Sequence, residues 1–296
     1  MSGSTKGGGR SRSRPVPFPR AVDLLNASVP RRGVVVTRDI PFGPDPRHRM
    51  DIYRPARAMA PSPVVVFFYG GAWQEGARGD YRFLAASLAR AGAVVAVPDY
   101  RLYPQVRYPS FIEDGALAVA ETRRLAASQG GDPGRLFVAG HSAGAYIAAM
   151  LAIVPDYLGA VGLSRGALAG AVGLAGPYDF LPIVGADIGL VFSSASTDLR
   201  QTQPIFHVDG RNAPLLLLHG DRDVTCYPRN SLALAARVTA AGGRAVARTY
   251  PGVGHIGIVA AFAPLPRFRA PSFGDTFRFI AGGWEDAGPR AISRGG

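Results

Sequence analysis

The 296-residue sequence holds one cysteine, Cys226, two tryptophans and five histidines. A lone cysteine excludes an internal disulfide, so packing and hydrogen bonding must hold the fold together. No apolar run approaches the roughly 20 residues of a membrane-spanning helix, and the start lacks an apolar segment able to serve as a signal-peptide core. A soluble, cytoplasmic protein that does not enter a membrane is expected. The histidines are scattered and the cysteine has no partner, so the chain offers no convincing ligand cluster, and neither metal nor cofactor is expected. Acidic residues are scarce too, 21 against 33 Lys and Arg, giving a formal net charge of +12.

Such a charge would suit a nucleic acid or membrane partner if it were spread over the domain. About half of it instead sits in the first 32 residues, on Lys6, Arg10, Arg12, Arg14, Arg20, Arg31 and Arg32 against the single acid Asp23. The opening stretch is rich in Gly, Ser, Arg and Pro and cannot bury enough apolar surface to offset the entropy of ordering. Residues 1–32 are therefore expected to be a disordered basic tail, 33–285 one catalytic domain, and 286–296 a flexible C-terminal tail. No nucleic acid partner is expected, and a homodimer is left open.

Short, β-branched apolar runs alternate with helix-patterned segments. The runs are Val64 to Gly70, Val94 to Tyr100, Arg135 to Gly140, Ala171 to Gly176, Pro214 to Gly220 and Ala245 to Gly252. They read as strands buried on both faces of a mostly parallel sheet, with GVVVTRDI and RMDIYRP ahead of them as an edge hairpin. The segments between them place Ala and Leu at helical spacing, as in SFIEDGALAVAETRRLAASQG, and two end in Gly at the C-cap position. This is an α/β pattern with helices on both faces of the sheet. Pro177 to Asn212 breaks the rhythm and reads either as a short cap or as an ordinary helix with irregular flanks.

Gly140-His141-Ser142-Ala143-Gly144 matches the G-x-S-x-G elbow, whose sharp turn between strand and helix projects a serine hydroxyl beyond the sheet. The pentapeptide follows the apolar run RLFVA and precedes the Ala-rich AYIAAMLA, which is the strand, turn and helix the motif requires. A serine needs a histidine to take its proton and a carboxylate to orient that histidine. His255, in PGVGHIG beyond the last strand, suits the base; His48 and His207 lie elsewhere, and His219 ends a buried strand where a satisfied structural role is expected. Chain order admits Asp179, Asp221 or Asp223 as the acid. Gly70-Gly71, after the run VVVFF, provides the small residues that an oxyanion-binding loop demands.

Together YGGAW, PDYRLYPQVRYPSFIEDGALAV, GHSAG, HGDRDV and GVGH stand in the order found in the α/β-hydrolase superfamily. The stretch from Val34 to Ile280 resembles its esterase branch, related to hormone-sensitive lipase and to the kynurenine formamidases. The resemblance implies an α/β-hydrolase fold and a serine esterase acting on short-chain acyl or aryl esters through an acyl-enzyme, with an aryl formamide hydrolase as the alternative and a non-catalytic binding protein as a distant one. It assigns the acid to Asp223, a loop-shaping role to Asp221, and the oxyanion donors to the amides of Gly70, Gly71 and Ala143. Tyr69 stands where these families usually read His, and Trp73 where the formamidases carry a tryptophan. Trp73, Tyr69 and His141 are the candidate substrate-contacting residues.

Overall fold

The computed structural model describes residues 21–30, 32–58, 60–195, 198–282 and 284. Eight strands form one sheet in the order β1-β2-β4-β3-β5-β6-β7-β8. They are β1 (Val34–Pro41), β2 (Arg49–Pro55), β3 (Ser62–Phe68), β4 (Val94–Pro98), β5 (Gly131–His141), β6 (Gly170–Leu174), β7 (Leu215–Gly220) and β8 (Ala245–Tyr250). The β1-β2 and β2-β4 pairs are antiparallel, and all pairs from β4 through β3 to β8 are parallel. Parallel neighbours need long crossovers, so helices flank the sheet and bury it. Every residue of β3, β4, β6 and β7 is buried, as the continuous apolar runs require. β8 departs from this expectation: only Tyr250 in it is buried, because the strand has a single neighbour and forms the sheet's edge.

The helices are α1 (Ala21–Ser28), α2 (Arg82–Ala91), α3 (Ser110–Leu125), α4 (Ala143–Ile153), α5 (Pro155–Gly159), α6 (Ala186–Val191), α7 (Arg229–Ala240), α8 (Gly257–Ala260) and α9 (Ser272–Gly282). α2 packs on β2 and β4, α4 on β5 and β6, and α7 on β7 and β8. α2 ends where expected, at Gly92, whose φ of 117° lets its amide turn back onto the carbonyls of Leu88 and Ala89. Residues buried on every side of α4 mark it as the central helix. Among the described residues no helix is long and apolar enough to cross a membrane.

The N-terminal boundary moves. Residues 1–20 and 286–296 lie outside the described residues, but the segment from 21 belongs to the domain and not to a disordered tail. Val22 and Leu25 of α1 pack on the core, and Val29 beyond it is buried. Asn26 fixes the helix: its Oδ1 accepts from the Phe83 amide at 2.8 Å and its Nδ2 donates to the Gly79 carbonyl at 3.0 Å. The Arg-rich composition upstream obscured this short apolar stripe. Replacing Asn26 by Ala should lower the unfolding free energy by about 1–2 kcal/mol, because it strips two backbone groups of their partners. Urea titration measures this, and an unchanged midpoint would show that α1 is not held this way.

Candidate active site

β5 ends at His141 and α4 begins at Ala143, so Ser142 occupies the whole turn between them. Its backbone sits at φ 53° and ψ −120°, a conformation that L-residues adopt only under strain of about 1–3 kcal/mol. Two close approaches make the turn possible. A Cβ on Gly144 would lie 2.0 Å from the Phe68 carbonyl oxygen, and one on Gly140 would lie 2.2 Å from the Gly144 backbone. Only glycine lets α4 come this near to β3 and β5. The Ser142 amide donates to the Leu174 carbonyl at 2.9 Å, which ties the elbow to β6.

Of the three carboxylates that chain order allowed, Asp223 is the one that meets His255: its Oδ2 accepts from Nδ1 at 2.7 Å. Its Oδ1 accepts from the amides of Thr225 and Cys226, both at 2.9 Å, and His219 Nε2 lies 3.2 Å from Oδ2. Burial by itself would raise the Asp223 carboxyl, but the hydrogen bonds from His219, His255 and the Cys226 amide outweigh it and hold the group ionised, well below the usual carboxylate range. With Nδ1–H committed to Asp223, the His255 Nε2 is the acceptor nitrogen. Asp221 takes the loop-shaping place, accepting from the Gly252 amide at 2.7 Å and so joining the carboxylate loop to the turn that precedes His255. Asp179 lies apart, its amide bonded to Asn230 Oδ1 and its side chain on a cavity wall. His219 has the structural role expected of it, with Ser231 Oγ at 2.8 Å and the Cys226 carbonyl at 2.6 Å, and also braces Asp223.

A cavity of about 340 Å³ opens over Ser142 and Ala143. Its apolar wall comes from Trp73 and from Phe180, Leu181, Pro182, Ile183 and Val184. Among its described residues, the stretch from Pro177 to Asn212 is thus not an ordinary helix with irregular flanks. It is a cap built of α6 and two short 3-10 turns, Leu199–Thr202 and Pro204–His207, anchored by Tyr146 Oη on the Thr202 carbonyl and by Gln203 Oε1 on the Phe180 amide. Trp73 is wedged among Phe111, Tyr146, Phe180 and Phe192, with ring centroids 5.0 to 6.3 Å apart, and it lines the cavity. Cys226 lines the same cavity beside Ser142. Burial, with Asp223 adding, pushes its thiol up to about 12, which keeps it neutral.

Three sequence expectations change here. The Gly70 amide donates to the Tyr81 hydroxyl at 3.3 Å and so is not free for an oxyanion. Gly71 (φ 138°), Ala72 (φ 51°) and Trp73 (φ 60°) curl one after another in the positive-φ region, and this brings Ala72 and Trp73 to the cavity. Gly71 has no alternative, since a Cβ there would sit 2.1 Å from the Glu75 carbonyl oxygen. Ala143, at the first position of α4, has no intrahelical acceptor for its amide. Tyr69 does not reach the cavity: it is fully buried, stacked on Tyr100 at 4.5 Å, with its hydroxyl accepting from Arg47 at 2.7 Å. His141 is buried behind the elbow, because the strand alternation that points Ser142 outward turns its predecessor inward.

Residues 50–238 match the family described as BD-FAE. The chain belongs to the BD-FAE family. A probable isoprenylcysteine alpha-carbonyl methylesterase of Arabidopsis thaliana is 31% identical over 242 residues, which cover 74% of this chain and 51% of that protein. Esterase LipC of Mycobacterium tuberculosis is 28% identical over 263 residues, 81% of this chain and 64% of its own length. The BD-FAE chain thus spans about half the length of the plant relative. Among solved structures, esterase B of Lactobacillus rhamnosis superimposes with a TM-score of 0.74 at 20% identity, covering 88% of this chain and 90% of the other, a likeness of fold. The sheet and its neighbours give this BD-FAE protein the α/β-hydrolase fold.

Sequence reasoning missed Tyr81, Phe180 and Cys226 in this BD-FAE site. Cys226 stands three residues after Asp223, near enough to the acid loop to have been a candidate; Tyr81 carried no signal. Among the described residues no group of three His, Cys, Asp or Glu is placed to hold a metal ion.

Burial, with His255 as the next cause, pushes the His141 imidazole down from 6.5 to about 3. Between those values the unfolded chain binds a proton at this position that the folded chain does not. Stability is therefore full above about pH 6.5 and is lost as pH falls, by up to about 1.4 kcal/mol per unit. The urea midpoint of the wild type should fall more steeply below pH 6.5 than that of His141→Gln. Equal slopes would mean that another group governs acid sensitivity.

Proposed function

We propose that this protein is a serine carboxylesterase that hydrolyses short-chain acyl or aryl esters through an acyl-enzyme. The observation that carries the reading is the 2.7 Å bond from His255 Nδ1 to a buried, ionised Asp223 alongside a serine held in a strained elbow. In the first step Ser142 Oγ attacks the ester carbonyl while His255 Nε2 takes its proton, then returns that proton to the departing alcohol. In the second, water deprotonated by the same nitrogen attacks the acyl-serine, and the imidazolium returns that proton to Ser142 Oγ as the acid is released. Asp223 stabilises the imidazolium that forms each time. The oxyanion would be met by the amides of Ala143 and of the Gly71-Ala72 turn, with Gly70 bracing that turn from behind. The unit that does this runs from α1 to α9.

The apolar cap residues and Trp73 suit an uncharged acyl or aryl group of modest size. The named activities of the relatives, methylesterase and esterase, agree with ester rather than peptide bonds as the target.

The test is hydrolysis of p-nitrophenyl acetate, butyrate and octanoate by the wild type, Ser142→Ala and Asp223→Asn. Wild-type turnover should fall with chain length, Ser142→Ala should lose at least about 10³-fold in kcat/KM, and Asp223→Asn should lose roughly 10³- to 10⁴-fold. Wild-type activity in Ser142→Ala would sink the assignment. A folded wild type inert toward all three esters but active on N-formylkynurenine would move the reading to an aryl formamide hydrolase.

A further inference from the structure

Four elements that converge on Ser142 are joined by one directed run of hydrogen bonds. The Gly70 amide donates to Tyr81 Oη at 3.3 Å. Tyr81 Oη lies 2.8 Å from His141 Nδ1, and His141 Nε2 lies 3.0 Å from the backbone carbonyl oxygen of His255. Since a carbonyl can only accept, Nε2 must carry the proton, which leaves Nδ1 as the acceptor and the Tyr81 hydroxyl as its donor. The run therefore has a single sense, N–H to O–H to imidazole to C=O, and each group in it is used once. His141 is almost fully buried, so its ring is shielded from water, while Gly70 and Tyr81 line a second cavity.

Each link lies one bond step from a reacting group. Gly70 precedes the turn that brings Ala72 and Trp73 to the cavity, His141 precedes Ser142, and the carbonyl belongs to His255 itself. The two histidine rings also lie against each other, with centroids 4.8 Å apart. The Tyr81 ring is independently packed against Phe67 at 5.4 Å and Phe83 at 5.9 Å, so its hydroxyl can be removed without displacing the ring.

We propose that Tyr81 and His141 are positioning residues that hold the oxyanion turn and the His255 loop at a fixed separation across Ser142. The inference rests on the reading of Ser142 and His255 as nucleophile and base. A misplacement of either loop by about 1 Å would cost on the order of 10²-fold in rate while leaving the substrate cavity intact.

The experiment compares Tyr81→Phe, His141→Gln, His141→Phe and the Tyr81→Phe/His141→Phe double variant with the wild type on p-nitrophenyl butyrate, alongside Ser142→Ala. Tyr81→Phe should lose about 10- to 100-fold in kcat with KM within about twofold. Its affinity for an alkyl trifluoromethyl ketone, which forms a tetrahedral adduct, should fall by a similar factor. Gln offers an acceptor and a donor and Phe neither, so His141→Gln should retain more activity than His141→Phe. The double variant should be no worse than His141→Phe, as expected of links in one chain. The proposal is overturned if Tyr81→Phe keeps wild-type kcat, if its loss lies wholly in KM, or if the two positions contribute additively. It is also overturned if each variant's loss merely follows its urea midpoint. Wild-type activity in Ser142→Ala would instead overturn the underlying reading, whatever the Tyr81 variants do.

Discussion

The backbone conformation of Ser142 is the constraint on which the rest of the site depends. A non-glycine residue at φ 53° and ψ −120° persists only where its surroundings over-determine it. Here they do so through contact distances that allow no side chain: α4 lies against β3 so closely that Gly144 has no room for a Cβ beside the Phe68 carbonyl. This approach brings the start of α4 to the rim of the sheet, where Ala143 and the positive end of the helix dipole lie at the cavity. It also places the end of β3 beside the elbow, so the turn at Gly71 opens onto the same space.

A second feature is the separation of polar from apolar work. Burying an ionised carboxylate is expensive unless its lone pairs are satisfied, and Asp223 is satisfied from four directions by two histidines and two amides. The cap on the opposite side of Ser142 contributes aromatic and aliphatic surface, with Trp73 fixed by four other rings. The hydrophobic wall and the charged pair thus stand on two sides of Ser142. Rigidity matters because a dipole that must reorganise during the reaction contributes less to the transition state.

The buried histidines divide the labour further. His219 and His141 have the residue type of a catalytic base, yet each is fully engaged as a strut, one under the carboxylate and the other under the base loop. Burial keeps His141 neutral, which is what allows it to present one donor and one acceptor at the same time. Of the three histidines gathered here, only His255 is partly exposed, with its Nδ1 on Asp223.

The sequence by itself determined the layer order and the turn on which Ser142 sits. Short β-branched apolar runs bounded by glycine, such as those of β3 and β7, read as buried strands, and a G-x-S-x-G between such a run and an Ala-rich helix reads as a tight turn. These are local signals, each readable within a dozen residues. What lay beyond local reading was decided by tertiary structure. That Asp223 rather than Asp179 meets His255 depends on where the loops after β7 and β8 end. That Gly70 braces while Ala72 faces the cavity depends on three successive positive φ values and on the Tyr81 hydroxyl, which approaches from a different segment. That Tyr69 and His141 point away from substrate follows from strand alternation at the sheet's end. That residues 21–30 join the domain depends on one asparagine finding two backbone groups more than fifty residues away. In each case the deciding partner is distant in sequence, and its contribution comes into being only when the chain has packed.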